Sequence, residues 1–376
     1  MTILINATNL SGGGGAQVAD SFCRYLNEFE NHNFIVLLSS ALSKTGIIVS
    51  AYKNVEVIMY NYPSADLYSL ITKRNTFLDS IVAINRVSCV LTLFGPMKWK
   101  PKCAHVCGFA LAHVVSPDSP YYTRMSLKRR VKERLRSIFW AYIFRRSAEC
   151  FYTENPLITE QLQSKFSNKK VYTITNTYNQ IFQDRANWNW VDLPDFDGLQ
   201  LLTVSSMGEH KNLQIAVEVA KILKKAHPTF RFRFVLTVNR EEFPPIPHEL
   251  IECFYFVGKV DISQCPSLYE QCDMEFQPTL LECFTATYPE AMIMRKPIIT
   301  TDLGFAKSIC GNAAVYYEPL SPESAAEAIF NTSSSAVLQN KLKEFGDIQI
   351  NKFDNSHERA QKLIALCEEA ARIYKL

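Results

Sequence analysis

Two glutamates eight positions apart, Glu282 and Glu290, bracket the run Cys283-Phe284-Thr285-Ala286-Thr287-Tyr288-Pro289. A strand-like run ends just before this segment and a helical pattern begins near Thr287. One carboxylate can then open the loop while the other rides the helix, both facing one cleft. A carboxylate accepts paired hydrogen bonds from vicinal hydroxyls, as ribose recognition in dinucleotide-binding folds shows. The N–H groups of Thr285, Ala286 and Thr287, at the helix start, can meet a phosphate. A second candidate is Ser11 with the four glycines Gly12, Gly13, Gly14 and Gly15. There the backbone can approach an anion with no Cβ in the way, though the spacing is not G-x-G-x-x-G and a flexible turn is the alternative. A third group is Cys103, His105, Cys107 and His113. Its side chains are of metal-ligand type, but alternation puts the first three on one face of a strand and leaves His113 needing a chain reversal, so no metal is expected.

The elements that must hold these residues follow from apolar periodicity. Short apolar runs at 2–6, 34–38, 55–59, 89–94, 103–106, 148–153 and 171–175 read as strands, with helical patterns between most of them. A polar, tryptophan-bearing stretch at 185–198 reads as a linker, after which the alternation restarts. Strands are expected at 199–204, 230–238, 253–257, 273–277 and 297–300, and helices at 212–226, 263–271, 287–294, 322–330, 336–345 and 356–374. Strand–helix alternation implies parallel sheets covered on both faces. The expected architecture is α/β with two doubly wound Rossmann-like domains, whose ligands bind at the loops after strands. The expected boundaries are 1–185, 186–355 and a C-terminal helix at 356–376 that packs back on the N-terminal domain.

Glu282-x₇-Glu290, followed by Ala291-Met292 and Lys296-Pro297-Ile298-Ile299, resembles the E-x₇-E signature of retaining glycosyltransferases of family 4, which have the GT-B fold. Val257-Gly258-Lys259-Val260, the segment Ser205-Ser206-Met207-Gly208-Glu209-His210-Lys211-Asn212, Thr301-Asp302-Leu303-Gly304 and Pro319-Leu320-Ser321-Pro322-Glu323 extend the likeness. Ile174-Thr175-Asn176 resembles the family's strand near the domain boundary. The resemblance implies two domains facing across a cleft and transfer of a sugar from a nucleotide-diphosphate sugar to a hydroxyl of a glycan or lipid-linked acceptor. It implies that Glu290 binds ribose, Glu282 contacts the transferred sugar, and Lys211 neutralises the diphosphate. The amides of Phe284, Thr285 and Ala286 would hold sugar and phosphate oxygens, and Gly258 and Val260 would line the base pocket; apart from the resemblance, the backbone at Gly13 and Gly14 is expected to approach the donor's phosphates. The family's histidine near the sugar corresponds to His105, with His113 second, a histidine satisfied inside the core being the alternative. Two departures stand out: Ser206 occupies the place of a customary Arg, and Cys283-Phe284-Thr285 replaces Gly-Phe-Gly.

The bulk properties fit. The 376 residues carry a net charge of +3 and are 47% hydrophobic, as in an ordinary globular protein of about two domains. No secretory leader or membrane span is evident, and the 11 scattered cysteines read as reduced thiols, so a cytoplasmic address is expected. Lys128, Arg129, Arg130, Lys132, Arg134, Arg136, Arg145 and Arg146 stand against one acid, Glu133, and beside Phe139, Trp140, Tyr142 and Phe144. Such a segment suits an anionic membrane surface at the inner face of the cell membrane, or alternatively a solvated helix with an inward aromatic stripe. Nucleic acid is not expected, because the aromatics are clustered and no RNA-binding module appears. The function expected is a metal-independent, retaining glycosyltransferase without a cofactor, working in bacterial surface polysaccharide synthesis. The alternatives are a nucleotide-sugar epimerase of similar architecture or a degenerate, non-catalytic nucleotide-sugar-binding protein. A nicotinamide dehydrogenase is disfavoured, because Leu37-Leu38-Ser39-Ser40 carries no acid for a ribose.

Overall fold

The computed structural model describes residues 1–10, 12–43, 52–61, 74–97 and 99–374. Ser11 of the glycine-rich loop lies outside the described residues. The chain forms two compact units, one of Met1–Pro117, Leu127–Asn176 and Asp354–Leu376, the other of Asp118–Ser126 and Thr177–Phe353.

The first unit is built on seven strands: β1 Thr2–Asn6, β2 Asn33–Leu38, β3 Val55–Met59, β4 Val87–Thr92, β5 Ala104–Gly108, β6 Cys150–Thr153 and β7 Lys170–Thr173. They pair in parallel in the order β3-β2-β1-β4-β5-β6-β7. Ile3, Leu4 and Ile5 are fully buried, because a parallel strand is covered on both faces and runs apolar without alternation. The helix Ser356–Tyr374 belongs here as well. Its Ala360, Leu363, Ile364, Cys367 and Ala371 recur at helical spacing and enter the core beneath β4 and β5. Arg359 Nη2 meets Glu154 Oε1 at 2.7 Å, both side chains nearly inaccessible.

The second unit carries β8 Leu199–Thr203, β9 Phe232–Leu236, β10 Phe254–Phe256, β11 Met274–Gln277, β12 Ile298–Thr301 and β13 Ala314–Tyr317. The order is β10-β9-β8-β11-β12-β13, again parallel. In both sheets the order reverses beside the first strand of the unit. Outside the carboxyl ends of β1 and β4, and of β8 and β11, lie the two crevices where such sheets bind ligands.

Three features depart from the sequence reading. β13 and the helix Gly304–Cys310 lie where no element is expected. β13 has four residues and sits at the sheet edge with its middle half-buried, so it leaves little periodic signal. The expected linker 185–198 is a strap laid on the second unit: Val191 N–H donates to Ser267 Oγ at 3.1 Å and Leu193 N–H to Gln271 Oε1 at 3.0 Å. The helix Leu127–Arg145 does not turn an aromatic stripe wholly inward. Leu127, Val131, Leu135, Ile138 and Tyr142 form an exposed row, while Ser137, Ala141 and Phe144 make the buried one.

Candidate functional site

In the second unit, the loops after β8 and β11 meet at the sheet's reversal point. The β8 loop ends in a short 3₁₀ turn, Glu209–Lys211, closed by Asn212 in the left-handed region at φ 54°. Two bonds tie it to the β11 loop: Leu280 N–H donates to the His210 carbonyl at 2.7 Å, and Thr279 Oγ1 to the same oxygen at 3.3 Å. That fixed juxtaposition brings Lys211 Nζ to 2.5 Å from Glu282 Oε1, which also accepts from Thr279 Oγ1 at 3.0 Å. The side chains of Lys211 and Glu282 are 19% and 14% exposed, so the pair is shielded yet reachable from the crevice. A cation and a carboxylate that can each exchange partners are thereby held at the place where a parallel sheet takes its ligand.

Glu290 lies in the first turn of the helix Thr287–Ile293 and is buried. Burial pushes its carboxyl up to about 8, which the Tyr269 hydroxyl partly offsets. Glu275 on β11 is also inaccessible, and burial pushes it up to about 8 with the nearby Glu290 adding to the shift. The side chain of Thr287 partly offsets that rise. Two carboxyl groups held above the usual carboxylate range by burial thus sit under the loop. Thr285 is buried and its hydroxyl has no partner among the described residues. Phe284 packs edge-on against Phe353, with centroids 6.2 Å apart. Ala286 precedes the helix, and its carbonyl accepts the Glu290 N–H at 3.0 Å. Gly258 follows β10 at φ +83°, a conformation that glycine takes without strain, and Val260 beside it is half-buried. Ser206 is exposed in the β8 loop.

One residue that sequence reasoning missed is Arg124. The segment Asp118–Ser126 belongs to the second unit although its neighbours in sequence belong to the first. Ser119 Oγ donates to the Leu280 carbonyl at 2.7 Å, and Arg124 Nη1 to Asn212 Oδ1 at 2.6 Å. A guanidinium therefore stands beside the residue that follows Lys211. No local signal marks it, because its place depends on where the segment crosses.

The first unit holds the remaining candidates. Gly13 and Gly14 open the helix Gly13–Cys23 after β1, Gly13 at φ +62°, and a Cβ on either would meet nothing within 4 Å. His105 needs correction as a catalytic residue. It is fully buried within β5, with Nε2 at 2.8 Å from Thr92 Oγ1 and Nδ1 at 2.5 Å from the Ser147 carbonyl. Both ring nitrogens are spent inside the unit, which is what a structural histidine does. His113 lies beyond the carboxyl end of β5, half-buried, and its Nε2 has no partner among the described residues. Burial, helped by the nearby Arg136, lowers its pKa. All 11 cysteines are free and buried. Among the described residues, no group of three or more His, Cys, Asp or Glu is placed to hold a metal ion.

The architecture is the GT-B fold, two Rossmann-like α/β units with parallel sheets of seven and six strands. The family model described as Glycosyl transferases group 1 matches residues 198–334, which contain the Lys211–Glu282 pair and Glu290. No curated protein matches by sequence. Among solved structures, a glycosyltransferase from Rickettsia africae is 18% identical over 98% of both chains, with a TM-score of 0.70. Sucrose-phosphate synthase from Thermosynechococcus elongatus is 13% identical over 99% of this chain and 100% of that one, at 0.69. The Anabaena protein HepE, solved in complex with UDP and glucose, is 14% identical over 98% and 100%, at 0.65. At such identities the likeness is one of fold.

Proposed function

We propose that this protein is a retaining glycosyltransferase of family 4 that moves a sugar from a nucleoside-diphosphate sugar to a hydroxyl of a glycan or lipid-linked acceptor. The observation that carries the reading is the Lys211–Glu282 pair, poised where the sheet order reverses, with Glu290 one helical turn into the next element. The match of residues 198–334 to a glycosyltransferase family supports it, as does a neighbour of the same fold that was solved with UDP and glucose. Lys211 neutralises the diphosphate leaving group, and Arg124 supplies the second cation that Ser206 lacks. Oriented cations of this kind stabilise the charge that develops as the sugar–phosphate bond breaks. Glu290 takes the ribose hydroxyls, Glu282 and the Thr285 hydroxyl take the transferred sugar, and Gly258 and Val260 flank the base. Attack comes from the face the phosphate leaves, and a phosphate oxygen accepts the acceptor's proton, so no protein nucleophile or metal is required.

The acceptor side includes a membrane. No described helix is long and apolar enough to cross a bilayer. The exposed row Leu127, Val131, Leu135, Ile138 and Tyr142, flanked by Lys128, Arg129, Arg130, Lys132, Arg134 and Arg136, suits a helix lying in an anionic interface. This supports a peripheral, cytoplasmic enzyme of bacterial surface polysaccharide synthesis with a lipid-linked acceptor. The test is a thermal-shift screen against UDP-, GDP- and ADP-sugars, followed by product analysis with the stabilising donor. Sugar transferred with its anomeric configuration kept is the expected result. An epimerised donor, or stabilisation by none of the sugars, would overturn the reading.

A further inference from the structure

We infer that the first unit carries a second anion site, for a phosphate monoester or diphosphate group, at the opposite end of its sheet from the glycine-rich loop. A pocket of about 730 Å³ is lined there by six cations, Arg74, Lys100, Lys102, Arg145, Arg146 and Lys169, and by one acid, Asp79. The topology accounts for the cluster. Lys102 lies two residues before β5, Lys169 directly precedes β7, and Arg145 ends, with Arg146 just after it, the helix that leads into β6. All of them therefore gather at the amino ends of the strands, whereas Gly13 and His113 stand beyond the carboxyl ends. Most of this positive charge is not neutralised by protein. Asp79 is shared between Arg74, at 3.8 Å, and the Trp99 indole N–H, at 2.9 Å. Glu149 lies 3.6 Å from Lys100. Lys169 Nζ donates only to the Ala148 carbonyl at 2.7 Å, Arg145 Nε to Asn168 Oδ1 at 3.2 Å, and Arg146 to the Tyr142 hydroxyl. Among the described residues, Lys102, Arg145, Arg146 and Lys169 have no carboxylate partner. Burial lowers the Lys169 pKa; the carboxylate of Glu149 opposes that shift, and the positive charges of Lys100 and Arg145 add to it.

Four cations facing one concavity repel each other unless an anion sits among them, and guanidinium groups bind phosphate oxygens in a fork. Two arginines with two lysines match a dianion, and the volume leaves room for more than one phosphoryl group. Tyr142 and Tyr374 give the pocket apolar walls. Tyr142 also ends the exposed apolar row of the helix Leu127–Arg145, so a lipid headgroup at a bilayer surface and a free phosphate compound share the required chemistry. The site is independent of the donor reading, because none of its residues belongs to the second unit.

The test uses the full chain with Lys102→Gln, Arg145→Gln and Arg146→Gln combined, all three being exposed side chains. Lys169 is kept because its ammonium also holds a backbone carbonyl. Pyrophosphate binding by calorimetry is compared among wild type, this triple variant and Lys211→Ala, with thermal melting to confirm folding. The expected result is a binding event weakened about tenfold or more in the triple variant and retained in Lys211→Ala. Vesicles of phosphatidylcholine with or without phosphatidic acid then separate the sources. Loss of phosphatidate-dependent binding in the triple variant, with competition by pyrophosphate, identifies a headgroup site. Pyrophosphate binding without any such vesicle effect identifies a soluble ligand. Unchanged pyrophosphate binding in the folded triple variant overturns the proposal, whatever Lys211→Ala does.

Discussion

Glu282 pairs with Lys211, the ammonium proposed to bind the diphosphate, so removing the glutamate's charge should tighten binding of the leaving group while slowing transfer. The pair spans 2.5 Å with side chains 19% and 14% exposed. At an effective dielectric near 20, two unit charges about 4 Å apart attract by about 4 kcal/mol. The desolvation of both ions in so shielded a place returns much of that, leaving a net competition of about 1–2 kcal/mol. Glu282→Gln keeps the shape and an oxygen for the Thr279 hydroxyl, but frees Lys211. A nucleoside diphosphate should then bind about 5- to 30-fold more tightly, since each 1.4 kcal/mol is tenfold. The matching nucleoside, which has no phosphate, should bind as before. Turnover of the intact donor should fall, because the group assigned to the sugar has lost its charge. Titration calorimetry with the nucleoside and its diphosphate, beside a steady-state transfer assay, reads all three quantities. Weaker diphosphate binding in a folded Glu282→Gln protein would refute the reasoning, since Glu282 could not then be the competitor for Lys211.

Four further outcomes are expected. Burial keeps Glu290 protonated below about pH 8, yet accepting two ribose hydroxyls calls for the carboxylate. Nucleotide binding should therefore release a proton near pH 7 and strengthen toward pH 9, and calorimetry in buffers of different ionisation enthalpy would expose an error if no proton is released; Glu290→Ala should weaken binding and abolish the effect. Glu275 has a folded pKa raised to about 8, so its contribution to stability is fully present below its unfolded pKa and is lost as pH rises through about 8. Glu275→Gln should accordingly raise the melting temperature more at pH 8.5 than at pH 5.5, and an equal shift at both would contradict the burial argument. Arg124→Ala should weaken a nucleoside diphosphate several-fold and spare the nucleoside, whereas equal losses would mean that Arg124 only braces Asn212. Replacing Arg129, Arg130 and Arg134 by Glu should abolish co-sedimentation with anionic vesicles, at about 1 kcal/mol per basic residue near the surface, and leave nucleotide binding intact. A wild-type protein that ignores such vesicles at low salt would rule out the membrane reading.

Much of the candidate site was legible because its parts are local. Glu282 and Glu290 belong to one strand–loop–helix unit, and the apolar run before them and the helical pattern after them announce that unit by periodicity alone. The alternation of apolar runs likewise determined two parallel sheets, since continuous burial on both faces leaves a continuous apolar signature. The C-terminal helix was readable for the same reason, its apolar stripe recurring every three to four residues. What tertiary structure decided are matters of partnership across long sequence separation. His105 and His113 are alike as letters, and only the packing of β5 shows that Thr92 and Ser147 occupy both nitrogens of the first. The contact of Lys211 with Glu282 joins residues 71 positions apart through the reversal of strand order. Arg124 reaches Asn212 because its segment leaves one unit for the other, and the cations of the basic pocket converge only because several strands begin at the same edge. Periodicity records which face of an element avoids water; it carries no information about which distant polar group will stand opposite, and that is where charge, hydrogen bonding and chemistry are set.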